Sequence, residues 1–154
     1  MKVFVTGVNG QLGHDVMNEL LARGYEGVGS DLKLTYAGVE DGTAVTTAPY
    51  VALDITDAKE VEKVILDVHP DVIIHCAAWT AVDMAEDDDK VSKVRAINAG
   101  GTQNIATVAK ELDAKMVYIS TDYVFDGQGT EPWVQSRIPL PILFAVVQRL
   151  RKLK

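Results

Sequence analysis

Hydrophobic positions fall into short continuous runs, alternating with longer stretches in which apolar residues recur every three or four places. Val3-Phe4-Val5 is the first run; it breaks at a glycine-rich turn and passes into Leu12, Val16 and Leu20, a helical period. Continuous β-branched runs predict strands buried on both faces, and the three-to-four spacing predicts amphipathic helices. The first helix is expected to end near Arg23-Gly24. Residues 26–31 then read as a second strand closing on an acid and 50–53 as a third. Residues 57–68 read as a helix through Val61, Val64, Ile65 and Val68, stopped by His69-Pro70. Residues 71–78 hold a fourth strand running into small side chains. Val91, Val94, Ile97, Ile105, Val108 and Leu112 mark a long helical stretch interrupted at Gly100-Gly101, and residues 115–119 are the fifth strand. Residues 33–49, polar and glycine-containing, read as a loop. Strands alternating with helices in this way predict an α/β fold. The expected form is a doubly wound parallel sheet of the Rossmann type, about five strands in the order 3-2-1-4-5, with helices on both faces.

The break after the first strand carries the chemistry. Gly7-x-x-Gly10-x-x-Gly13 spaces three glycines between a strand and a helix. A glycine triplet alone makes a structural turn; in this position it reads as a phosphate cradle. Gly7 supplies the sharp turn, Gly10 lets a pyrophosphate approach the backbone, and Gly13 lets the helix lie close on the sheet. The helix start would aim unpaired N–H groups and its positive dipole end at an anion. Asp31, 18 residues past Gly13, stands where such folds place the carboxylate that accepts from the adenosine ribose. A carboxylate there repels a 2′-phosphate and leans the reading toward NADH over NADPH, with Lys33 softening the lean. Asp54-Ile55 at the third strand's end is placed to meet the adenine edge, although Asp54 or Asp57 serves equally as a helix cap. Small residues after the fourth strand leave room for a flat ligand. The hydroxyls of Ser120 and Thr121, at the mouth of the fifth, would either face the reactive end of a dinucleotide or satisfy loop backbone.

Composition narrows the class. With 154 residues, 47% of them hydrophobic, the chain is long enough for one domain with a core. A net charge of −7 argues against a nucleic-acid surface. The single cysteine, Cys76, forms no internal disulfide, suits a cytoplasmic location and reads as a core thiol. Met1-Lys2 running straight into a strand leaves no signal peptide expected, and no apolar run approaches the ~18 residues that span a bilayer. His14 and His75 lack ligand spacing, so no metal is expected. Glu86-Asp87-Asp88-Asp89 lacks the alternation of a calcium loop and reads as a solvated helix face. Asn98 is either a polar anchor for neighbouring backbone or an exposed residue. Beyond Glu131 there are five basic and no acidic residues, against ten basic and twenty-two acidic in residues 1–131. Residues 1–133 are therefore expected to form the nucleotide-binding domain and 134–154 an atypical basic, apolar tail.

Four segments together are more specific: Thr6-Gly7-x-x-Gly10-Gln11-Leu12-Gly13; His75-Cys76-Ala77-Ala78-Trp79-Thr80-Ala81-Val82-Asp83-x-Ala85-Glu86; Ile97-Asn98; and Ser120-Thr121-Asp122-Tyr123-Val124-Phe125-Asp126-Gly127. They resemble the extended short-chain dehydrogenase/reductase family, and within it the dTDP-4-dehydrorhamnose reductases, over residues 1 to about 133. The resemblance implies a cytoplasmic oxidoreductase of nucleotide-sugar synthesis that uses NADPH or NADH to reduce dTDP-4-dehydro-L-rhamnose to dTDP-L-rhamnose. It implies that Gly10-Gln11-Leu12 bind the pyrophosphate, Asp31 the ribose, Asp54-Ile55 the adenine and Cys76-Ala77-Ala78 the inner part of the coenzyme. Thr121 would polarise the substrate, with Asp122 beside it. The family's proton donor is a Tyr-x-x-x-Lys pair. The tyrosines here, Tyr25, Tyr36, Tyr50, Tyr118 and Tyr123, are followed four places on by Gly29, Glu40, Asp54, Asp122 and Gly127. The pair is absent, and the expectation is little turnover from this polypeptide alone. A non-catalytic dinucleotide-binding or regulatory module is the alternative, since regulatory subunits of methionine adenosyltransferase share the last motif. The tail reads as an amphipathic helix covering the sheet edge or a partner, as sequence from a shifted reading frame, or, less well because of Pro139 and Pro141, as a helix lying on a membrane.

Overall fold

The computed structural model describes residues 1–40, 42–43, 48–85 and 87–121. Five parallel strands form one sheet: β1 (Lys2–Thr6), β2 (Glu26–Asp31), β3 (Tyr50–Ala52), β4 (Val72–His75) and β5 (Lys115–Tyr118). Their order is β3-β2-β1-β4-β5, as the alternation of strands and helices predicts. In register, Thr6 of β1 lies between Ser30 of β2 and His75 of β4. The helices are α1 (Gln11–Ala22), α2 (Ala37–Glu40), α3 (Ala58–Val68), α4 (Val82–Ala85), α5 (Val91–Arg95) and α6 (Thr102–Glu111). A π-helical turn, Ala96–Gly101, joins the last two into a continuous rod.

Both faces of β1 are buried, which explains its unbroken apolar run. Val3 and Val5 pack with Val8, Met17, Leu20 and Tyr36 in the α1 layer. Phe4 packs on the other side with Val28, Leu53, Ile55, Val61, Ile65, Ile73, Ile105 and Val108 in the α3–α6 layer. Helix α3 begins where Asp57 accepts from the Lys59 and Glu60 amides, at 2.9 and 3.1 Å. It ends on His69 in the left-handed region (φ 50°), just before Pro70. β3 and β5 each stop one residue short of the expected end. β5 stops because its ladder partner β4 ends at His75, opposite Tyr118.

Three expectations change. The loop of 33–49 contains α2 and sends Tyr36 into the α1-side core. Asp87, Asp88 and Asp89 are solvated but lie in the turn before α5, where the Asp87 carbonyl accepts from Lys90 and Val91. The interruption at Gly100-Gly101 is the π-turn, and the rod continues through it. A Cβ on Gly101 would stand 2.6 Å from Ile55 Cδ1, so the glycine lets the rod pack on the end of β3. No helix among the described residues is long and apolar enough to cross a membrane.

Candidate functional site: the crevice between β1 and β4

The strand order reverses between β1 and β4, so the loops leaving these two strands diverge to opposite faces and open a crevice at the sheet's carboxyl edge. Its first wall is the glycine turn. Gly7 adopts φ +75°, and a Cβ there would stand 2.6–2.8 Å from the backbone of Cys76 and Ala77. The amides of Gly7 and Val8 both donate to the Ser30 carbonyl, at 2.8 and 3.2 Å, folding the turn over β2. Gly13 is buried, and its added Cβ would lie 2.3 Å from the Gly7 carbonyl oxygen. It brings α1 onto the turn itself rather than onto the sheet. Gly10 is different: it is exposed, and among the described residues only the Gly7 oxygen, at 3.3 Å, comes near its Cβ position. As N-cap of α1, Gly10 offers no side chain, and among the described residues no side chain caps the helix start. Gln11 and Leu12 are exposed in that first turn. An uncapped, open helix N-terminus behind a glycine is the donor set a pyrophosphate needs.

Asp31 closes the side toward β2. Its Oδ2 accepts from the Asn9 amide at 3.0 Å and its Oδ1 from the Leu32 amide at 2.8 Å, so the carboxylate is half-buried and fixed to the glycine turn. Asn9 completes a brace. Its Oδ1 accepts from the Ala37 amide at 2.7 Å, and its Nδ2 donates to the Thr35 carbonyl at 3.3 Å. The Tyr50 hydroxyl donates to the Lys33 carbonyl. Burial first, and the nearby Asp31 charge second, raise the Tyr50 phenol above its ordinary value. A cavity of about 170 Å³, lined by Asn9, Gly10, Gln11, His14, Ala37 and Gly38 among others, opens beside the turn.

The second wall follows β4. Cys76 and Ala77 are half-buried and Ala78 is exposed. Burial pushes the Cys76 thiol up, which keeps it protonated and a poor nucleophile. Asn98, from the π-turn, accepts from the Trp79 amide at 2.7 Å and donates to the Trp79 carbonyl at 3.1 Å. It is therefore the backbone anchor of the two alternatives. Lys93 Nζ lies 5.7 Å above the Trp79 ring. Beneath this loop His75, 1% exposed, joins Thr6 Oγ1 at 2.7 Å to Thr102 Oγ1 at 3.1 Å. Burial holds its imidazole down at about 4, so it is neutral at physiological pH.

Those of the expected site residues that are described thus gather along one edge of the sheet. Asp54 Oδ1 accepts from the Thr56 amide and hydroxyl, at 2.9 and 2.7 Å; this makes an Asx turn and leaves the capping of α3 to Asp57. Ile55 is buried and its carbonyl accepts from Asn104 Nδ2 at 2.9 Å, so its side chain belongs to the core. Thr121 is half-buried just past β5, and Ser120 is exposed. Asp122 and the segment 123–127, with the whole of 134–154, lie outside the described residues. Sequence reasoning missed Asn9, Thr6, Thr102 and the role of His75. One signal for His75 was available: it stands two places after Ile73 and so shares its face of β4, the one that is buried.

Taken together, the doubly wound sheet, the uncapped helix behind open Gly10 and the acid at the end of β2 define a Rossmann-type nucleotide-binding domain. The chain belongs to the family described as the RmlD substrate binding domain, whose profile matches residues 1–145. It is 34% identical over 138 residues to the dTDP-4-keto-6-deoxy-D-glucose reductase of Streptomyces niveus, covering 90% of this chain and 41% of that one. It is 30% identical over 141 residues to the methionine adenosyltransferase 2 subunit beta of Rattus norvegicus, covering 92% and 38%. Among solved structures, the dTDP-4-dehydrorhamnose reductase of Bacillus anthracis in complex with NADP superposes with a TM-score of 0.73 at 35% identity, covering 99% of this chain and 48% of that one. The chain spans about two-fifths of the length of these curated relatives.

Proposed function

We propose that this chain is the coenzyme-binding part of an NAD(P)H-dependent reductase that converts dTDP-4-dehydro-L-rhamnose to dTDP-L-rhamnose. The observation that carries the reading is the uncapped start of α1 behind open Gly10, set at the point where the sheet reverses. Gly7 and Gly13 shape the turn, and the amides after Gly10, at Gln11 and Leu12, hold the pyrophosphate. Asp31 holds the adenosine ribose, Asp54 and Ile55 border the adenine, and Cys76, Ala77 and Ala78 line the inner part. The fixed negative charge of Asp31 favours NADH, while the solved relative carries NADP. A reduced nicotinamide supplies the hydride. Thr121, with Asp122 beside it, donates a hydrogen bond to the 4-keto oxygen and stabilises the negative charge that grows there. Residues 1–133 make up the coenzyme unit in this reading, and 134–154 are set apart by their basic composition.

The 154 residues contain no Tyr-x-x-x-Lys, so the proton donor that the family uses for the new hydroxyl is not among them. Without that general acid the rate falls by roughly a hundred- to ten-thousand-fold, and little turnover is expected from this polypeptide alone. The same absence, with the likeness to a methionine adenosyltransferase subunit beta, supports a second reading as a non-catalytic dinucleotide-binding or regulatory module. Calorimetry with NADH and NADPH, followed by an assay with the keto-sugar nucleotide, tests both. Coenzyme heat without turnover, and turnover once the missing half of a relative is supplied as a second chain, supports the reductase reading. Coenzyme heat with no gain from that second chain supports the module. No heat with either coenzyme overturns both.

A further inference from the structure

A buried polar chain runs beneath the crevice, and coenzyme contact assigns it no task. The Thr102 hydroxyl donates to the Asn98 carbonyl at 2.9 Å, so toward His75 it can only accept. His75 Nε2, 3.1 Å away, must therefore carry the ring proton. Nδ1 is then the acceptor, and the Thr6 hydroxyl donates to it at 2.7 Å. That leaves a Thr6 lone pair for the Ala77 amide, 3.3 Å away. One tautomer satisfies each donor and acceptor, and Thr6, His75 and Thr102 are 0, 1 and 7% exposed. The chain grips the second wall at both ends: Thr6 holds the Ala77 amide, and Asn98 holds the Trp79 amide and carbonyl. At its other side Thr6 runs directly into Gly7, the pivot of the first wall.

We propose that His75, as a neutral Nε2–H imidazole, is a positioning residue that sets the spacing between the glycine turn and the 77–79 loop. It thereby fixes affinity for the part of the dinucleotide beyond the pyrophosphate. The inference rests on the coenzyme reading above. It predicts a split between ligands, because AMP reaches the glycine turn, Asp31 and the Asp54-Ile55 side but not the second wall, which a full dinucleotide also meets. The test measures binding of NADH, NADPH and AMP to the full chain and to His75→Phe, Thr102→Val and Thr102→Ser. Thr102→Val is nearly isosteric and removes the acceptor for Nε2–H together with the donor to the Asn98 carbonyl; Thr102→Ser keeps both.

Wild type and Thr102→Ser are expected to bind alike. Thr102→Val and His75→Phe are expected to weaken the dinucleotides about tenfold, through an orphaned buried donor or hydroxyl, and to change AMP by less than twofold. Nitrogen-15 NMR should show Nε2 protonated and Nδ1 as acceptor. Unchanged dinucleotide binding in Thr102→Val, an equal loss of AMP and dinucleotide, or a protonated Nδ1 overturns the inference. If His75→Phe does not fold, Thr102→Val decides alone. Failure of the wild-type chain to bind either dinucleotide overturns the coenzyme reading itself, whereas wild-type binding with unaltered variants overturns only the role of His75.

Discussion

Replacing Gly13 and Gly10 by alanine, one at a time, separates folding from binding within a single turn. The Cβ of Gly13→Ala would lie 2.3 Å from the Gly7 oxygen, 2.7 Å from the Gly7 carbon and 2.9 Å from Val8 Cα. All three are backbone, and the closest is about 1.1 Å inside ordinary contact, so no side chain can rotate away. Overpacking of this kind costs typically 1–3 kcal/mol, and a clash against backbone belongs near the top, about 3 kcal/mol. For a domain of this size that is a fall in melting temperature of roughly 6–12 °C. Among the described residues Gly10→Ala meets only the Gly7 oxygen, at 3.3 Å, so its stability should stay within about 1 kcal/mol of wild type. Its methyl does occupy the approach of a pyrophosphate, and coenzyme affinity should fall at least tenfold, about 1.4 kcal/mol. Thermal denaturation followed by calorimetry reads both. A Gly13→Ala variant as stable as wild type would refute the packing argument, and a Gly10→Ala variant with unaltered coenzyme affinity would refute the cradle.

The neutral His75 makes stability depend on pH. Its folded value of about 4 lies below the ordinary 6.5, so the unfolded chain binds the extra proton and stability falls as pH drops from 6.5 toward 4. Between pH 7 and 4.5 that amounts to about 2.5 kcal/mol; urea denaturation at the two pH values should show that much less loss in His75→Gln than in wild type, and equal losses would contradict it. Asn98→Ala deletes two hydrogen bonds to Trp79, costing about 2 kcal/mol, and should speed hydrogen exchange at the Trp79 amide, whereas an unchanged rate would count against the anchor. Asp31→Asn keeps a hydrogen-bond acceptor and removes the charge, so the ratio of NADPH to NADH affinity should rise about tenfold; a constant ratio in titrations with both coenzymes would exclude Asp31 as the ribose-side determinant.

Strand runs and the glycine turn were legible because they depend on near neighbours. Val3-Phe4-Val5 announces burial on two faces, and Gly7, Gly10 and Gly13 announce a turn between strand and helix. The same local logic stopped α3 at His69-Pro70 and left its cap to Asp54 or Asp57, of which the structure uses Asp57. What local patterns could not carry is pairing across the chain. His75 meets Thr6 across 69 positions and Thr102 across 27, and Asn9 meets Ala37 across 28. No periodicity links such residues; the sheet order and the π-turn do. The acidic run misled for a related reason: charge predicts exposure well, but the Asp87 carbonyl's bonds to Lys90 and Val91 make the segment a turn. Gly13 was correctly read as a close-packing position, yet its partner is the Gly7 carbonyl rather than the sheet, a contact that depends on the left-handed turn at Gly7.

The central claim is that an adenine dinucleotide lies along the edge where β1 and β4 part. Amide chemical-shift mapping of the nitrogen-15-labelled chain during titration with NADPH or NADH tests it most directly. The account predicts saturable shifts concentrated at Asn9–Gly13, Asp31–Lys33 and Ala77–Trp79. Shifts confined to other surfaces, or none at millimolar coenzyme, would contradict it.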